Sequence, residues 1–189
     1  MLYLVYQLIF NQYAVNNLVD VTASINGESY RVHAAHKNKK QAAETLATID
    51  QALMNLIREL KRSYPNHIIT RRIMANYNPD KIAENTPFNM FNYTSYTINK
   101  GEMIRYCIRN KDTDASIEDY GHLIFVAIHE LGHVGAEGYG HDDDFWRTFK
   151  FLLNAAAKIG IYDPVDYASN NFTYCGMKVT YNPYFDPTL

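Results

Sequence analysis

From Leu123 to Gly135 the sequence holds one formally charged residue, Glu130, among aliphatic residues, glycines, a phenylalanine and two histidines. A helix that is apolar on every side has to be covered by other elements, so the rest of the chain must be arranged around this stretch. Ser116 followed by Asp119 reads as an N-cap with an acidic first turn, which predicts the helix over about Ile117 to Val134. Gly135, Gly138 and Gly140 then break it. Asp142 to Asp144 suit the start of another helix, Phe145 to Ile159, closed by Gly160.

Upstream, Ala42, Leu46, Ile49, Leu53, Ile57 and Leu60 recur at helical spacing and predict a long amphipathic helix from about Lys39 to Ser63, with Pro65 just beyond it. Val19 to Ile25 and Tyr30 to His33 flank Asn26-Gly27, a pair that tolerates positive φ, and predict a β-hairpin. Thr94 to Ile98 and Met103 to Arg109 predict a second hairpin, with Gly101 suited to a left-handed turn position. Arg71 to Phe91, interrupted by Asn-Pro and Thr-Pro, reads as mostly loop with at most a short helical turn. The tail from Ile161 onward, rich in proline and aromatics, reads as an extended segment packed over the domain. Hairpin, helix, hairpin, helix, helix is the order of an α+β fold: a small antiparallel sheet beside three helices, with residues 1–189 as a single domain.

Composition narrows the function classes. With 18 basic and 20 acidic residues, net charge −2, no global field draws the chain to nucleic acid or to an anionic membrane. The apolar run Met1 to Phe10 is interrupted by Gln7 and too short to span a membrane, and it lacks the basic start and cleavage site of a signal peptide. An opening strand or short helix is expected there, and an intracellular location for the protein. Cys107 and Cys175 lie far apart and form no CxxC pair, so buried thiols in a reducing compartment are expected.

The chemistry lies in His129-Glu130-Leu131-Gly132-His133. Residues four apart on a helix share a face, so both imidazoles can reach one ion while Glu130 lies beside them. A catalytic zinc takes three protein ligands and leaves a position for water, from which a neighbouring carboxylate accepts a proton. No glutamate follows Glu137, and the one histidine after His133 is His141, which a glycine-bearing loop can turn back toward the first two. Asp142, Asp143, Asp163 and Asp166 are the other candidates for the third ligand.

The pattern His129-Glu130-Leu131-Gly132-His133, then His141 through Phe145-Trp146, resembles the WLM and SprT-like zinc metallopeptidases, whose motif is HExxH, a short loop, then HxxxF followed by an aromatic or lysine. The resemblance covers roughly Tyr93 to Leu153. It implies a zincin-like core, Zn2+ held by His129, His133 and His141, Glu130 as general base, a peptide or protein substrate, and Phe145 and Trp146 packing the second helix behind the site. Ala136 and Tyr139 depart from the metzincin pattern, which places glycine and histidine there. Several relatives cleave proteins bound to DNA; here the basic segments are Lys37 to Lys40, Arg58 to Arg62 and Arg71-Arg72, which read as a solvated face before they read as a DNA contact. Richness in Asn, Tyr and Ile is similar to that of proteins from AT-rich genomes, including those of large DNA viruses.

Around this centre, His122 lies two turns before His129 and is a candidate for the substrate channel or for orienting a ligand. Tyr139 and Tyr96 are candidates for contact with substrate or with a developing oxyanion. One strand of the second hairpin is a candidate edge for an extended peptide. His33, His36 and His67 read as ordinary histidines. Three functions are compatible with these residues: a zinc-dependent protease, a non-catalytic zinc-binding scaffold, and a protease acting on DNA-bound proteins.

Overall fold

The computed structural model describes residues 17–85, 94–110 and 115–189. The expected opening element at Met1 to Phe10 lies outside them. Strands β1 (Leu18–Thr22) and β2 (Ser29–His33) form the first hairpin, with Gly27 at φ 78 in its turn. Helix α1 (Lys39–Ser63) comes next with the predicted boundaries, and its buried side, from Ala42 through Leu46, Leu53 and Leu56 to Leu60, lies on the sheet. Helix α2 (Ile68–Asn76), β3 (Ile82–Glu84), β4 (Tyr96–Ile98) and β5 (Met103–Tyr106) succeed it, then α3 (Tyr120–Gly135) and α4 (Asp143–Lys158), and finally β6 (Phe172–Tyr174) and β7 (Met177–Val179).

The α+β class stands, with corrections to its parts. The five-stranded sheet has the order β1-β2-β3-β5-β4 and is mixed rather than antiparallel: β2 with β3 and β3 with β5 run parallel, while the outer pairs are antiparallel. The described residues hold four helices rather than three. β3 and the second half of α2 lie in the segment, Arg71 to Phe91, read as mostly loop with at most a short helical turn. His67 accepts from the Ile69 amide as N-cap of α2, and Ile69 and Ile73, one turn apart, are its buried anchors. Two apolar residues and a three-residue strand are too little for a periodicity to register, yet β3 is buried throughout and occupies the middle of the sheet.

The apolar helix α3 is covered as its composition demands, by α1, α2 and α4. Its N-cap is Asp119, whose carboxylate accepts from Gly121 and His122 amides, rather than Ser116; Ser116 instead lies in the turn where Asn110 N–H reaches its carbonyl. Gly132 sets how closely α4 approaches: a Cβ there would stand 3.2 Å from the Phe145 ring. In the tail, β6 and β7 pair as a hairpin across Cys175-Gly176, both at positive φ, so the expected extended segment is in part a further element. The two cysteines are not thiols: Cys107 and Cys175 form a disulfide. The spacing of 68 residues gave no hint of it, because the loop it closes is brought together by the whole fold. The cysteine-based argument for a reducing compartment therefore loses its premise. Among the described residues no helix is long and apolar enough to cross a membrane.

Candidate active site

Helix α3 carries His129 and His133 on one face, and the loop after it returns His141 to them. The His129 Nε2 atom lies 3.2 Å from Nε2 of His133 and 3.0 Å from Nε2 of His141. Ligand atoms of all three lie within 4.8 Å of one another, and among the described residues no carboxylate joins the group. Of the competing aspartates, Asp142 caps α4 by accepting from the Phe145 amide, and Asp166 accepts from Ala168 and Ser169. A tetrahedral zinc with Zn–N bonds of about 2.0–2.1 Å has its nitrogens roughly 3.3–3.4 Å apart, close to the separations found.

Electrostatics favour the same group. Burial, with His133 and His141 adding to it, holds His129 well below the ordinary imidazole value. Burial lowers His133 to about 4, and lowers His141 as well. All three are therefore neutral at pH 7, the form that binds a metal ion, and three neutral rings sharing one point satisfy one another poorly without a cation. The donor set and its protonation fit Zn2+.

Phe145 fixes the rings. Its side chain stacks on His133 at 4.4 Å and meets His129 and His141 edge-on at 4.9 and 4.6 Å. Trp146 flanks His141 at 5.5 Å, and Phe149 meets His129 at 5.2 Å. The aromatic residues after His141 thus hold the imidazoles directly, a closer role than backing the second helix.

Glu130 is 3% exposed, and burial pushes its carboxyl up to about 8. One group works against that shift: Thr97 on β4 donates to Oε2 at 2.7 Å, which leaves Oε1 for another proton donor. Thr97 escaped the sequence reading, since nothing local marks a strand threonine as the partner of a residue 33 positions away. Lys100, in the β4–β5 turn with φ 58, was missed for the same reason. Its ammonium donates to the Ala136 carbonyl at 2.7 Å and to that of Gly138, bracing the loop that presents His141. Arg72 of α2 holds Glu137 of that loop at 2.6 Å, and the Glu137 amide donates to Asp144 at 2.7 Å.

The imidazoles and Glu130 open into a cleft of about 780 Å³. One wall is β4 with the residues just before it, and the other is the β6–β7 hairpin together with Thr180 and Tyr181. Tyr96 lines this cleft. Two other candidates do not. His122 stacks on Phe172 at 3.7 Å, because two turns of helix carry it past the rings toward the hairpin. Tyr139 is 78% exposed, with Lys100 over its ring at 4.9 Å, and lies outside the cleft lining. His67 is a helix cap, and His33 lies at the end of β2 beside a buried Glu84–Arg109 ion pair.

The chain is similar to viral proteins. An uncharacterized protein of Acanthamoeba polyphaga mimivirus is 29% identical over 163 residues, 84% of this chain and 81% of its own length. An uncharacterized protein of Invertebrate iridescent virus 6 is 46% identical over 70 residues, and one of Invertebrate iridescent virus 3 is 40% identical over 70 residues. Those two matches span 36% and 37% of this chain and 39% and 43% of the relatives. No protein-family model matches the chain, and no solved structure matches it significantly.

Proposed function

We propose that this protein is a zinc-dependent metallopeptidase that hydrolyses peptide bonds in proteins. The observation that carries the reading is the convergence of three neutral imidazoles, His129, His133 and His141, beside a buried glutamate at the floor of an open cleft. When bound, Zn2+ supplies a Lewis acid that polarises a carbonyl and acidifies water. His129, His133 and His141 hold it, and Phe145 keeps their rings in place. With the cation beside it Glu130 would be ionised despite its burial, accept the proton of the attacking water through Oε1 and pass it to the leaving amine nitrogen, while Thr97 holds Oε2. Tyr96 contacts the substrate from the β4 wall.

Three protein ligands favour this reading over a zinc-binding scaffold, since a structural zinc has four, and no fourth joins the group among the described residues. The test is zinc content per chain for the wild type, His141→Ala and Glu130→Gln, with casein as substrate. One zinc per chain is expected in the wild type and Glu130→Gln and a deficit in His141→Ala, with cleavage by the wild type alone. A wild type without zinc, or cleavage by Glu130→Gln at the wild-type rate, refutes the assignment.

A further inference from the structure

Both walls of the cleft are strands that meet it edge-on. Thr94 to Thr97 line it in unbroken succession on one side, and Met177 to Thr180 do so on the other. Side chains alternate between the two faces of a strand, so consecutive lining residues mean that the backbone edge, not one face, borders the space. β4 is the outer strand of its sheet and β7 is half of a two-stranded hairpin. Each therefore presents alternate peptide groups to the cleft, from the Tyr96–Thr97 stretch of β4 and the Met177–Val179 stretch of β7.

The two edges are fixed relative to each other at one corner. Ser95, just before β4, is hydrogen-bonded to the Tyr174 hydroxyl at 2.7 Å and accepts from the Cys107 amide at 3.0 Å. The Tyr174 hydroxyl also donates to the Cys107 carbonyl at 2.5 Å, and the disulfide ties the hairpin turn at Cys175 to Cys107. Both β4 and β7 begin, in chain direction, just after this corner. Beyond β7, Tyr181 meets Trp146 at 5.2 Å, next to His141. His129, His133 and His141 line the same cleft.

We infer that β7 is a second substrate-binding edge: an extended polypeptide segment enters between β4 and β7, hydrogen-bonds to both, and is held there at a spacing maintained by the Cys107–Cys175 bond. The inference rests on the protease reading for the place of the scissile bond, but not for binding itself. It names the substrate class as extended, unfolded segments with residues on both sides of the cut. A helix or a folded surface cannot offer peptide groups to two opposed edges at once. The cleft volume of about 780 Å³ lies within the roughly 300–1,000 Å³ of ligand sites.

Successive N–H groups of a strand point to opposite sides, which makes the inference testable by backbone N-methylation. The protein is zinc-loaded Glu130→Gln, and the probe is a short peptide taken from a random pool by its quenching of Trp146, the chain's one tryptophan, which lines the cleft. N-methylation at successive positions away from the centre is expected to weaken binding about two- to tenfold at each one. Binding sensitive at every second position only overturns the inference, as does the absence of any peptide that binds. In a second arm, the double variant Cys107→Ser with Cys175→Ser, checked for fold by circular dichroism, or the reduced protein, is expected to keep its zinc and lose the sensitivity at one alternate set. Retention of both sets there overturns the role given to the disulfide. Cleavage by the wild type is read separately: two-sided binding without cleavage refutes the protease and leaves the second edge standing, and cleavage with one-sided binding does the reverse.

Discussion

Glu84 and Glu130, the two most deeply buried glutamates among the described residues, are treated in opposite ways. Glu84 at the end of β3 is 3% exposed and fully answered: Arg109 donates to Oε1 at 2.6 Å, the His33 amide donates to Oε2 at 2.8 Å, and Arg109 is bonded in turn to Asn38 at the start of α1. Glu130 is equally buried, yet its side chain has the Thr97 hydroxyl and, among the described residues, no cation beside it. A buried carboxylate that meets its opposite charge inside the protein is a joint of the fold. One that is denied a counter-charge and faces a cleft is held ready for a proton or an ion from outside.

That contrast is broken most directly at Glu130, the proposed general base. Glu130→Gln should lower peptide hydrolysis by about 10²–10⁴-fold in steady-state assays while the unfolding midpoint of the metal-free protein stays level or rises, because a neutral amide suits the buried position. The mirror-image change, Arg109→Ala, leaves Glu84 charged and alone and should cost about 3–5 kcal/mol in urea unfolding, with zinc binding retained by the folded fraction. If the two variants exchanged these phenotypes, the division into joint and active group would be wrong.

Removing the Thr97 hydrogen bond to the Glu130 side chain sharpens the comparison. Thr97→Val preserves the shape of β4 and should reduce kcat/KM by roughly tenfold or more, the effect of a hydrogen bond to a charged group of about 1.5–3 kcal/mol, with little change in zinc affinity. Equal losses in turnover and in metal binding would show that the threonine supports the helix rather than the carboxylate.

The smallest expected effect is a pH dependence of the zinc-stripped protein. Glu130 has a folded value of about 8, above its unfolded one, so its contribution to stability is complete in acid and is lost as pH rises toward 8. His133, lowered to about 4, acts in the opposite sense: the unfolded state takes up protons first, so stability falls as pH drops below about 6.5. Between pH 6.5 and 8 only Glu130 changes stability among these groups, and unfolding should become easier by at most about 2 kcal/mol. Glu130→Gln should flatten that stretch of the curve, and denaturant titrations of the two stripped proteins at several pH values would reveal it.

The sequence by itself located the central helix, both bounds of α1, the β4–β5 hairpin and the residues that meet at the site. These are local facts: helical spacing, caps and turn residues act within a few positions, and His129 with His133 share a face because of helix geometry alone. His141 was reached by elimination, and the fold brings its ring nitrogen to within 3.0 Å of His129. Tertiary structure alone decided that the three-residue β3 completes the sheet, that Cys107 and Cys175 are joined, that Thr97 and Lys100 serve Glu130 and the His141 loop, and that the tail supplies the second wall of the cleft. It also removed His122 and Tyr139 from the site, since being near in sequence does not set the direction in which a side chain points. Such contacts join residues tens of positions apart, and their strength comes from burial and exclusion of water, which exist only once the sheet and helices have packed.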